Sequence, residues 1–71
     1  MTKDKIERDV RFALKIKQLK PGEHFTVEAK IGGGQKVARV SFTDPKHIGE
    51  HREHLEQVAR NGEFTVELRA A

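Results

Sequence analysis

Two alternating runs around three consecutive glycines constrain this chain more than any other feature. Residues 24–31, His-Phe-Thr-Val-Glu-Ala-Lys-Ile, put Phe25, Val27, Ala29 and Ile31 on one side and polar groups on the other. That period of two marks a half-buried strand. Gly32-Gly33-Gly34 supplies the positive-φ freedom of a tight connection. Residues 35–42 return with Ala38, Val40 and Phe42 on one face and Val37, Arg39 and Ser41 on the other. An antiparallel hairpin is expected, and its apolar face needs a cover from elsewhere in the chain.

The following segment reads as a helix. Asp44 is placed as an N-cap and Pro45 suits the first turn. Ile48, Leu55, Val58 and Ala59 recur near helical period, and Asn61-Gly62 is read as a left-handed C-terminal cap. From Glu63 to Ala70 alternation resumes through Phe64, Val66 and Leu68, predicting a third strand. Phe25-Thr26-Val27-Glu28 recurs as Phe64-Thr65-Val66-Glu67, which we read as two similar strand starts and not a repeat architecture.

The first segment supports two readings. Val10, Phe12, Leu14 and Ile16 alternate as in a strand. Against that, Asp4 and Glu7 have capping-box spacing, and Leu19-Lys20-Pro21-Gly22 resembles a helix exit. On a helical wheel Glu7, Arg8, Arg11, Lys15 and Gln18 gather on one arc, with Ile6, Val10, Phe12, Ala13 and Ile16 on the other. We take the helix. The order becomes helix, strand, strand, helix, strand, with the second helix crossing over between strands two and three. This predicts one α+β domain over residues 1–71, a two-layer sandwich with helices on one face of a three-stranded sheet. The other face carries Thr26, Glu28, Lys30, Arg39, Thr65, Glu67 and Arg69 as a solvated lattice.

Size and composition narrow the function. Seventy-one residues with 35% apolar content and neither Trp nor Tyr leave four Phe to anchor the core. A core of this size supplies about 3–5 kcal/mol, so a partner or dimerisation adds usefully to stability. The absence of cysteine removes disulfides, thiolate nucleophiles and cysteine zinc sites. With no apolar run long enough for a signal peptide or membrane span, a soluble cytoplasmic protein is expected. Residues 1–20 carry seven basic and three acidic side chains, whereas residues 43–71 carry four and six. A polyanion would therefore approach the N-terminal third.

Catalytic chemistry has little to work with. Ser41, the only serine, falls in a predicted strand without a nucleophile elbow. Glu50, Glu53 and Glu56 have ordinary surface spacing on the second helix. Gly32-Gly33-Gly34-Gln35-Lys36 lacks the Gly-Lys-Ser/Thr ending of a phosphate loop and leads into a strand. His47, His51 and His54, at i, i+4 and i+7, are read as an exposed His-rich helix face, since the HExxH pattern of a metal site is missing. The expectation is a non-enzymatic protein with no catalytic residues, no metal and no cofactor.

One stretch resembles a known binding module. The strand ending in Phe42, then Thr43-Asp44-Pro45, Ile48-Gly49, a helix, Gly62 and a final alternating strand resemble the bacterial-type KH domain over roughly residues 37–69. The match requires residues 45–49 to form a short helix separate from 51–60. It implies a Gly-x-x-Gly loop between them that grips unpaired nucleotides, here at Lys46, Gly49 and Arg52. Gly49 matches the first glycine, but Arg52 stands where the second belongs.

Two functional expectations follow. The first is a small RNA- or DNA-binding protein whose basic N-terminal segment (Lys5, Arg8, Arg11, Lys15, Lys17), with Lys36 at the hairpin tip, neutralises phosphates. All four Phe sit at apolar-phase positions, so no exposed stacking aromatic is expected. The alternative is a protein-interaction module, such as an inhibitor, an adaptor or a phage- or plasmid-type regulatory subunit. It would act through a sheet edge or the charged second helix, and its segregated charge would also suit a homodimer.

Overall fold

The structure, a computed structural model, describes residues 2–71. Helix α1 spans Thr2–Ile16, strand β1 Phe25–Gly32, strand β2 Gln35–Phe42, helix α2 Lys46–Gly62 and strand β3 Thr65–Ala70. The sheet order is β1-β2-β3, with β2 antiparallel to β1 and parallel to β3. The expected α+β order is therefore the observed one, and α2 is the crossover. At the hairpin tip Gly32 pairs with Gln35. Gly33 and Gly34 have φ of 57° and 78°, the positive values that a tight two-residue hairpin turn demands. No helix is long and apolar enough to cross a membrane.

Both helices cover the same face of the sheet. Phe25, Ala29, Ala38, Val40 and Phe42 are buried beneath Ile6, Val10 and Leu14 of α1 and Leu55 and Ala59 of α2. Phe25 and Phe42 are direct cross-strand partners with ring centroids 6.4 Å apart. On the opposite face Arg39 and Glu67 pair across β2 and β3 at 3.3 Å.

The ambiguous first segment is a helix, and its alternation has a physical explanation. Wound at 100° per residue, Val10 and Leu14 fall on one side, while Phe12 and Ile16 fall on the opposite side. Val10 and Leu14 are fully buried, whereas Phe12 and Ile16 are 64% and 59% exposed. A strand-like pattern thus becomes two apolar stripes on one helix. Only one of them faces the core.

The helix ends differ in detail from expectation. At the start of α2 the N-cap position falls on Pro45, which has no side-chain cap, and not on Asp44; Asp44, one residue earlier, still accepts the Lys46 N–H through Oδ1 at 3.0 Å. At its end the left-handed residue is Glu63, with φ 61°, and not Gly62. The Phe64 N–H returns to the Ala59 carbonyl at 2.9 Å. Helix α1 closes the same way, with Gln18 at φ 68° and the Leu19 N–H donating to the Leu14 carbonyl at 3.0 Å. In both, the residue just past the left-handed one is apolar and buried, as often accompanies a Schellman closure. The Asp4–Glu7 capping box does not form, because α1 already begins at Thr2. Glu7 reaches sideways instead, and its Oε2 accepts the Ala29 N–H of β1 at 3.0 Å.

Candidate nucleic-acid interface

The outer face of α1 concentrates the features most suited to a polyanion. Lys5, Arg8, Phe12, Lys15 and Ile16 fall within about 100° of arc, and all five are exposed. Lys5 is tied to Asp9 at 3.0 Å, and Arg11, on the flank toward β1, lies 3.8 Å from Glu7. Among the described residues Arg8 and Lys15 form no ion pair, so their charge is available to a ligand.

The predicted cations are not all brought together. Lys5, Arg8 and Lys15 share the arc. Arg11 is partly neutralised beside it, and Lys17 lies past the helix end, where its charge reaches His51 of α2. Lys36 is separate, lining a hollow of about 360 Å³ with Glu63, Phe64 and Thr65 at the α2–β3 junction.

Phe12 corrects the expectation that every Phe is internal. It stands in the middle of the basic arc and, with Ile16, borders a hollow of about 250 Å³ between the helices, alongside Asp9, His54 and Val58. Grouping Phe12 and Ile16 with Val10 on one wide apolar arc hid this: they are one turn apart and lie nearly opposite Val10 and Leu14.

The histidines also depart from expectation, because their face of α2 turns inward. His51 is only 9% exposed, and His47 and His54 are half-buried. The His47 ring lies 5.7 Å from His51 and 6.2 Å from His24, with Phe42 6.1 Å away. His24 is held in place by its Nδ1, which accepts the Lys20 N–H at 2.9 Å. His47 and His54 each bury an Nδ1 without a hydrogen-bond partner among the described residues. Among those residues no three His, Asp or Glu side chains converge as a metal cage would require.

Burial pushes the His51 pKa below its ordinary 6.5. Glu50 opposes this shift, whereas His47, Lys17 and His54 add to it. The unfolded chain therefore takes up this proton at higher pH than the folded one. The part of the stability linked to a neutral His51 is fully present above about pH 6.5 and is lost as pH falls through its lowered folded-state pKa. The melting temperature is expected to drop between about pH 7.5 and pH 5.5, and to drop less in His51→Gln. A calorimetric pH series on both proteins checks this.

Within the stretch likened to a KH domain, Lys46–Gly62 is one continuous helix. Residues 45–49 and 51–60 do not form two helices with a loop between them, and Gly49 and Arg52 lie inside α2. Lys46, Gly49 and Arg52 are exposed on its outer side. A comparison of the chain with protein-family models, curated proteins and solved structures finds no match.

Proposed function

We propose that the chain is a small nucleic-acid-binding protein that presents the outer face of α1 to an unpaired stretch of RNA or DNA. The observation that carries this reading is Phe12, 64% exposed between Arg8 and Lys15. A face that only kept the protein soluble would have no use for a large aromatic there. Cations along a helix neutralise phosphates and release counterions. An exposed phenyl ring stacks on a base only where the base is splayed out, and such stacking contributes about 1–3 kcal/mol per base. Together the two features favour single strands over duplex.

Fluorescence anisotropy with labelled single- and double-stranded oligonucleotides at low salt tests this. The double variant Arg8→Glu/Lys15→Glu is expected to weaken single-strand binding at least tenfold and to flatten its log-log salt dependence. Phe12→Ala is expected to weaken it about 5- to 100-fold while leaving the salt slope unchanged. No detectable binding to either form would sink the reading. Loss of affinity on changing Lys46 and Arg52, with the α1 variants silent, would move the site to α2.

A further inference from the structure

The two edges of the sheet are treated differently. Main-chain groups alternate along a strand between the two sides. On β1 two of the outward groups are engaged: the Gly22 N–H donates to the Phe25 carbonyl at 2.7 Å, and the Ala29 N–H donates to Glu7. That edge is obstructed at these two points by the α1–β1 connection and by a carboxylate from α1. On β3 the Ala71 N–H donates to the Phe42 carbonyl, so Thr65, Glu67 and Arg69 share the inward phase. Val66, Leu68 and Ala70 then point their N–H and C=O groups away from the sheet. Among the described residues these groups meet no partner. The strand also lacks the proline, bulge or cover that usually protects an edge.

We propose that this edge is the self-association surface of the chain, a second copy adding its own β3 antiparallel across a two-fold axis at Leu68. Charge selects both the partner and the register. With Leu68 opposite the partner's Leu68, each Glu67 faces the partner's Arg69 on the solvent face, and the same contact repeats across the axis. Shifting the axis to residue 67 sets Glu67 against Glu67, and shifting it to residue 69 sets Arg69 against Arg69. Both neighbouring registers place like charges directly opposite, which is destabilising. In the favoured register Val66 meets the partner's Ala70, and about six main-chain hydrogen bonds form, two for each outward pair. On the helix side, a hollow of about 280 Å³ between Glu56, Ala59 and Val66 borders this edge and leaves room for the partner strand. The result is a continuous six-stranded sheet with an isologous interface. The proposal is independent of the nucleic-acid reading, since it uses no residue of the α1 arc.

Sedimentation equilibrium of the intact chain over a range from about 10 µM to 1 mM tests it, with dimer expected to dominate at the upper end. Arg69, which forms no ion pair among the described residues, is the residue to change: Arg69→Glu is expected to weaken dimerisation at least tenfold. The double swap Glu67→Arg/Arg69→Glu, made with Arg39→Glu so that the intrachain pair of residues 39 and 67 is kept, is expected to restore it by exchanging the signs. Circular dichroism confirms that each variant is folded. Because the chain has no cysteine, Leu68→Cys places one thiol at the axis. It is expected to oxidise to a covalent dimer, whereas Val27→Cys at the guarded edge is not. A monomer throughout the range would overturn the proposal, and so would a dimer indifferent to Arg69→Glu.

Discussion

Phe42→Ala is expected to leave the chain largely unfolded at room temperature, whereas Phe12→Ala is expected to change its stability by less than about 0.5 kcal/mol. The chemical deletion is the same and the environments are opposite. Phe42 is fully buried and touches three rings: Phe25 on the neighbouring strand and His47 and His51 on α2. Emptying such a site costs about 3–5 kcal/mol, as much as a core of this size provides. Phe42→Leu, which keeps most of the volume, is expected to fold with reduced stability. Far-UV circular dichroism with urea titration separates the outcomes. A folded Phe42→Ala protein would mean that the central strand does not organise the core.

At the end of α2, two adjacent substitutions are expected to act with opposite sign. A Cβ on Gly62 would stand 2.5 Å from Cε2 and 2.9 Å from Cδ2 of Phe64, whose ring is itself buried. The ring also lines the hollows beside Lys36 and beside Glu56, so it can move aside only by giving up its packing at the helix end. Gly62→Ala is therefore expected to destabilise by about 1–2 kcal/mol, overpacking outweighing the roughly 1 kcal/mol that alanine adds to helix propensity. Glu63 holds a left-handed conformation that glycine adopts without strain. Glu63→Gly is expected to stabilise by about 0.5–1 kcal/mol after the entropy of the glycine is counted. Thermal melts of the two single variants decide this. Stabilisation by Gly62→Ala would show that Phe64 is freer than its packing suggests.

How far the sequence foretold this molecule depends on where its signals were local. The hairpin and the third strand were legible, because Phe25, Ala29, Ala38, Val40 and Phe42 alternate and then meet on one buried face. Helix α1 was legible only in part. The run Val10, Phe12, Leu14, Ile16 satisfies a strand template, and a wheel counts Phe12 and Ile16 as apolar without saying that nothing covers them. The inward turn of the histidines was missed for the opposite reason. His51 lies between Ile48 and Leu55 in the chain and on the same arc, but an imidazole carries a polar label whether buried or not. The left-handed residues Gln18 and Glu63 leave no trace in composition, and Asn61-Gly62 pointed one residue too early. The guard on β1 depends on a contact between Glu7 and Ala29, 22 residues apart, which no local pattern announces. Within the candidate site, sequence located the cations Lys5, Arg8 and Lys15, and only the fold showed the aromatic among them.

The mixed sheet also sets an order of assembly. Pairing of β1 with β2 begins between Gly32 and Gln35, across a loop of two glycines, and proceeds outward residue by residue. Pairing of β2 with β3 joins Arg39 to Glu67, 28 residues apart, with all of α2 between them. Closing the long loop costs chain entropy before any contact repays it. The hairpin is therefore expected to zip early, on the microsecond scale of such turns, and the final strand to dock after its helix has formed. By the same reasoning, the parallel seam between β2 and β3 is expected to come apart first.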